Sequence, residues 1–142
     1  HDDKSQEKVL RNKTILLAED NELNAEIAMT ILQDAHARVE VASDGAIALS
    51  MLKEAPAGYY DVILMDIQMP HMNGYQASEA IRKLLDDRAR TPIIAMTANA
   101  FEEDHKAALE AGMDAYVAKP IEIDTPFSTI TQVLNKDSLD LK

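Results

Sequence analysis

The sequence predicts an α/β fold, a doubly wound parallel sheet of five strands with five helices. Three observations carry that expectation. From Thr14 onward, short apolar runs alternate five times with longer amphipathic stretches, the rhythm of strand–helix units in a parallel sheet. The first, third and fourth runs are almost continuously apolar, as strands covered on both faces must be. Glycine, proline and small polar residues fall between the runs, where turns and helix caps belong.

In order, the strands are expected at 14–18, 38–42, 61–65, 93–96 and 115–118, and the helices at 22–35, 45–54, 75–87, 101–111 and 124–134. Strand two, Arg-Val-Glu-Val-Ala, is more polar than the others and suits a sheet edge. Ser43 or Asp44 can cap the second helix, and Asp124 the fifth, with Pro126 in its first turn. Gly112 follows the fourth helix where a left-handed C-cap belongs. Glu102, Glu103 and Asp104 suit that helix's first turn, where its dipole favours negative charge.

The 142 residues suit one domain with a real core. Residues 1–11 read as a polar linker, 12–136 as the domain and 137–142 as a tail. His1 at the start and the polar stretch behind it read as a domain excised from a longer protein. With 25 Asp and Glu against 14 Lys and Arg, the net charge of −11 argues against nucleic acid or acidic lipid as a partner. Without cysteine, neither a disulfide framework nor a thiolate metal site is available. No apolar run has the length of a membrane span, and the expected location is the cytoplasm, with a parent protein that can itself be membrane-anchored.

In an open parallel sheet the ligand lies beyond the carboxyl ends of the strands, so the residues that follow each run are the ones that matter. Strand one runs into Glu19 and Asp20, strand three into Asp66, strand four into Thr97, and strand five into Lys119 and Pro120. In the strand order 2-1-3-4-5, the three carboxylates face one another across the crevice where the order reverses. Carboxylates so close repel each other unless a cation relieves them. Oxygen donors without histidine or cysteine favour Mg²⁺ over zinc, in a site that handles phosphate. Taken singly, Asp66 would pass for a turn former, Lys119 for a surface charge and Thr97 for a strand residue; the constellation is what points to chemistry.

Four stretches then carry a resemblance. Ile15-Leu16-Leu17-Ala18-Glu19-Asp20-Asn21, 61–70 with Asn73-Gly74, 92–100, and 112–120 resemble, in register over about residues 12–135, the receiver domains of response regulators in two-component signalling. The wording is most similar to receivers at the C-terminal side of hybrid sensor histidine kinases. The resemblance implies a flavodoxin-like five-stranded sheet in the order 2-1-3-4-5, and a phosphorelay in which Asp66 takes a phosphoryl group from phosphohistidine. It implies Mg²⁺ bound by Asp20, Asp66 and the backbone carbonyl of Gln68, with Glu19 acting through water. It further implies that Thr97 and Lys119 receive the phosphoryl oxygens, that Thr97 and Tyr116 form the switch, and that the Lys119–Pro120 bond is cis. Gln68 and Asn99 would flank the path of hydrolytic water. Ala18 is the one variation, where a larger aliphatic residue is frequent in such domains.

The implied partner is the phosphohistidine domain of a histidine kinase or a histidine phosphotransfer protein. On the first helix, a buried stripe of Leu23, Ile27 and Ile31 would leave Ala25 and Met29 turned outward as a seat for that partner's helix, with Glu22, Glu26 and Gln33 on the polar side. The four histidines read as solvated surface or tail residues. Three other classes fit these residues less well. A Mg²⁺-dependent phosphatase with an aspartate nucleophile needs a second acid two residues on, where this chain has Gln68. A flavin binder of the same topology needs free amides after strand one, where Glu19-Asp20-Asn21-Glu22 would repel a phosphate. A degenerate receiver acting as a constitutive interaction module would lack the acceptor, the acidic pair or the lysine.

Overall fold

A computed structural model describes residues 12–69, 71–97 and 102–118. Five strands, β1 (Thr14–Ala18), β2 (Arg38–Ala42), β3 (Val62–Asp66), β4 (Ile93–Thr97) and β5 (Ala115–Ala118), form one parallel sheet in the order β2-β1-β3-β4-β5. Four α-helices lie among the described residues: α1 (Glu22–Asp34), α2 (Gly45–Glu54), α3 (Gly74–Arg82) and α4 (Glu102–Glu110). The expected fifth helix, 124–134, lies outside them.

Every residue of β1, β3 and β4 is buried, while β2 is mostly uncovered at the sheet edge. Successive side chains of a strand point to opposite faces, and the core divides accordingly. Ile15, Leu17, Leu64, Ile94 and Met96 pack with Ala25, Ala28 and Leu32 of α1. On the other face Leu16, Ile63, Met65 and Ile93 pack with Leu52 of α2, Ala77 and Ile81 of α3 and Ala108 of α4. Fully burying each large aliphatic side chain contributes roughly 1.5–3 kcal/mol before entropy is counted.

Caps set the helix boundaries. Asn21 begins α1 by accepting from the Asn24 N–H, and Asp44 begins α2 by accepting from the Ile47 N–H, which decides between Ser43 and Asp44. Asn73 and Gln76 form a reciprocal capping box at the start of α3. Gly112, at φ +95°, closes α4 as expected: the Met113 N–H reaches back to the Ala108 carbonyl.

Two expectations are corrected here. The third helix ends at Arg82 rather than 87: the Asp86 side chain accepts from the Arg88 N–H and starts a separate 3₁₀ turn, Asp87–Arg90. The buried stripe of α1 is Ala25, Ala28 and Leu32, not Leu23, Ile27 and Ile31. Leu23 is 65% and Ile27 45% exposed, Ala25 is buried, and Met29 is half-buried. Both stripes have helical spacing; the small alanines let the helix lie close on the sheet.

Candidate functional site

The carboxyl ends of β1, β3 and β4 deliver the side chains that the sequence singles out. Glu19 follows β1 directly, and its N–H bonds the Ala42 carbonyl at the end of β2 (2.9 Å), so the chain leaves the sheet in a fixed direction. Asp66 is the last residue of β3 and lies opposite Met96; the Ile67 N–H then bonds the Met96 carbonyl (3.1 Å). The order reverses between β1 and β3, which opens a crevice there.

In that crevice Glu19, Asp20 and Asp66 each offer a carboxylate oxygen, and these oxygens lie within 4.8 Å of one another. Glu19 and Asp66 are buried, at 3% and 4% exposure, whereas Asp20 is open to solvent. Charged oxygens held so close favour a bound cation, and an all-carboxylate set suits a hard divalent ion. The donor chemistry therefore fits Mg²⁺.

The loop after β3 is held against this crevice. The Gly74 N–H bonds the Ile67 carbonyl (2.9 Å), and a Cβ on Gly74 would stand 2.5 Å from the Asp66 carbonyl oxygen. Only glycine lets α3 begin so close to the end of β3. The exposed Gln68 follows Asp66 by two residues, and its N–H points to Asp66 Oδ1 at 3.3 Å. Thr97, at the end of β4, is buried, and Tyr116, on β5 opposite Ala95, is half-buried against the second core cluster. Lys119, Pro120, Asn99 and the loop 98–100 lie outside the described residues, and with them the expected cis bond.

Beside the carboxylates a hollow of about 570 Å³ is lined by Asp20, Glu22, Ala25, Met29, Val41 and Ile47, among others. Ala25 and Met29 thus border the site, although Ala25 does so as a buried residue rather than an outward one. Sequence reasoning missed His71: it lies in the loop after β3 and meets Asp44, the α2 cap, at 3.2 Å. Nothing in the spacing could have paired two residues 27 apart.

Sheet order, switch-point crevice and acidic triad define a class, and comparison with known proteins agrees. Residues 15–131 match the response regulator receiver domain family, and the chain belongs to that family. Among its relatives is Hybrid signal transduction histidine kinase M of Dictyostelium discoideum, 40% identical over 87% of this chain and 5% of the relative. Sensor histidine kinase GacS of Pseudomonas protegens is 39% identical over 78% of this chain and 12% of its own length. The chain thus spans only a small part of these curated relatives. The receiver domain of sensor histidine kinase PA1611 from Pseudomonas aeruginosa, solved with magnesium coordinated in its active-site cleft, superposes with a TM-score of 0.79. It is 35% identical, over 87% of this chain and 98% of that one. A chain from the complex of the Saccharomyces cerevisiae histidine phosphotransfer protein Ypd1 with the receiver domain of Ssk1 superposes at 0.80, with 26% identity over 90% of this chain and 92% of that one. No helix among the described residues is long and apolar enough to cross a membrane.

Proposed function

We propose that this receiver domain accepts a phosphoryl group on Asp66 from the phosphohistidine of a partner protein, and serves as the receiver of a hybrid histidine kinase. The observation that carries the proposal is the meeting of Glu19, Asp20 and Asp66 at the switch point, with Asp66 at the end of a buried strand. Mg²⁺ would be held by Asp20, Asp66 and the Gln68 carbonyl, with Glu19 through water. When bound, it offsets the mutual repulsion of the carboxylates and the negative charge of the incoming phosphoryl oxygens.

The chain's own part is positioning. Phosphoryl transfer passes through a loose transition state, so a weak nucleophile suffices once it is held in line. Asp66 is held by a strand buried on both faces and by the backbone of Gly74 behind it. One carboxylate oxygen of Asp66 attacks phosphorus, the phosphorus–nitrogen bond to the donor histidine breaks, and the imidazole leaves with that electron pair. The product on this chain is an acyl phosphate. Lys119 and Thr97, by the family resemblance, take the phosphoryl oxygens. A hydroxyl bond from Thr97 would then draw in the following loop and free space for Tyr116, a two-state surface biased by one covalent event.

The partner reading rests on the relatives, which are histidine kinases, and on the phosphotransfer protein in the Ypd1 complex. Met29, Val41 and Ile47 beside the acidic Asp20 and Glu22 offer an apolar seat with a negative rim for the donor's helix. The test is the intact mass of the domain after incubation with phosphoramidate, with and without Mg²⁺. One phosphoryl adduct that needs Mg²⁺ and disappears in Asp66→Asn is expected; an adduct that survives Asp66→Asn overturns the assignment.

A further inference from the structure

Asp44 and His71 form a contact that capping alone does not require. Asp44 Oδ1 caps α2 by accepting from the Ile47 N–H at 2.8 Å, which leaves Oδ2 to meet His71 Nδ1 at 3.2 Å. The Asp44 side chain is 11% exposed and that of His71 76%. An ionised carboxylate only accepts, so the imidazole Nδ1 carries the proton and Nε2 is left without it unless the ring is charged. His71 also has φ +66°, in the left-handed region that non-glycine residues seldom adopt, though histidine enters it more readily than most. Such backbone persists when neighbouring contacts hold it, and it tends to mark places where geometry matters for function.

The place is the loop between Asp66 and α3, of which residues 67–69 and 71–73 are described. Three of its fastenings are the Gly74 N–H on the Ile67 carbonyl, the Gly45 N–H on the Met72 carbonyl (3.1 Å), and His71 on Asp44, beside the Gln68 N–H on Asp66 Oδ1 and the capping box of Asn73 and Gln76. The first two are backbone contacts at glycines whose Cβ would strike carbonyl oxygens of Asp66 and Met72. The third is a side-chain fastening, and it ties the loop to the start of α2, where Ile47 borders the hollow beside the carboxylates.

We propose that the Asp44–His71 pair is a positioning device for the cation site: it sets the turn that presents the Gln68 carbonyl, and thereby the affinity for divalent metal. The inference rests on the reading of Glu19, Asp20, Asp66 and Gln68 as that site. Metal affinity is sensitive to groups that orient ligands without touching the ion. The pair acts on the geometry of the turn and takes no part in the transfer of the phosphoryl group.

Two substitutions isolate it. His71→Gly removes the imidazole and tolerates the positive φ, so strain does not confuse the result. Asp44→Ser keeps an N-cap oxygen for α2 and removes the one that meets His71. Mg²⁺ affinity is read by calorimetry, and the Mg²⁺ concentration that half-saturates phosphoramidate uptake by intact mass, with the melting temperature alongside. Each variant is expected to weaken Mg²⁺ binding by about threefold or more, with the double variant no weaker than the worse single one, because both remove one contact. Melting temperatures should stay within about 3 °C for His71→Gly, whose side chain lies on the surface. Mg²⁺ affinity unchanged in His71→Gly, or multiplicative losses in the double variant, would overturn the proposal. Wild type and Asp20→Asn separate this from the parent reading. Wild-type protein that binds no Mg²⁺ condemns the site itself, whereas binding that Asp20→Asn abolishes and His71→Gly leaves intact condemns only the positioning role.

Discussion

Replacing Arg82 by alanine should cost stability and spare the cation site. The guanidinium at the end of α3 makes four hydrogen bonds: Nε to the Gly112 carbonyl (2.8 Å), Nη1 to those of Ala89 (2.7 Å) and Thr91 (2.8 Å), and Nη2 to Asp114 Oδ2 (2.9 Å). It thereby joins α3, the 3₁₀ turn, the approach to β4 and the approach to β5. Burial pulls its pKa down while Asp114 opposes the shift. Asp114 also accepts from the Ile93 N–H at 2.8 Å, so one carboxylate aligns both the arginine and the first residue of β4. The Arg82 side chain is 24% exposed and that of Asp114 44%, so water can replace part of what is lost, and each bond takes the lower part of the usual range, about 0.5–1 kcal/mol. The sum is about 3 kcal/mol, or a fall in melting temperature of about 10 °C for a domain of this size. Lysine should recover little, since it lacks the planar fork. All these contacts lie at the amino ends of the strands, and five-residue strands separate them from the acidic site by about 15 Å. Urea unfolding followed by circular dichroism, with Mg²⁺ calorimetry on the same samples, reads both quantities. A loss under about 1 kcal/mol, or Mg²⁺ affinity falling in step with stability, would refute the reasoning.

Other perturbations follow from the same contacts. Gly74→Ala places a methyl group against the Asp66 carbonyl and Ile67 Cα, neither of which can yield; it should cost about 2 kcal/mol and slow phosphoryl uptake, read by chemical denaturation and intact mass. Ser78 is fully buried on α3 and its hydroxyl has no hydrogen-bond partner among the described residues, so Ser78→Ala should be neutral or stabilising by up to about 1 kcal/mol in the same denaturation assay. Glu40 accepts from the hydroxyl groups of Tyr59 and Tyr60, which hold its carboxyl below the usual range. Its stabilising contribution is present above the ordinary glutamate pKa and is lost as pH falls through the depressed value in the folded protein. The stability gap between wild type and Glu40→Gln should therefore narrow as urea midpoints are taken from about pH 7 to about pH 3.5.

The sheet was legible because its central strands are buried on both faces: Leu16, Ile63 and Ile94 leave no alternative to burial, and the polar β2 could only be an edge. The acidic cluster was legible because parallel strands all end on one side, so Glu19 and Asp66 had to approach once the order was known. The face of α1 was not. Leu23, Ile27, Ile31 and Ala25, Ala28, Leu32 both repeat at helical spacing, and bulk favours the stripe that the sheet rejects. The end of α3 was equally hidden, because the residues after Arg82 remain compatible with helix until Asp86 turns back on Arg88. Asp61 was read as strand, but its side chain accepts from the Thr14 N–H and starts the pairing of β1 with β3 from outside it. The Asp44–His71 contact and the reach of Arg82 to Asp114 join residues 27 and 32 positions apart, and no local pattern encodes such pairings.

The central claim is that Asp66 carries an acyl phosphate, and borohydride tests it most directly. Phosphorylated protein, made with Mg²⁺ and phosphoramidate, is reduced and digested, and the peptide that spans Asp66 is sequenced by mass spectrometry. Conversion of Asp66 to homoserine, absent without Mg²⁺ or phosphodonor, is the predicted result. Reduction at another carboxylate, or a phosphoryl adduct that borohydride leaves untouched, would contradict the account.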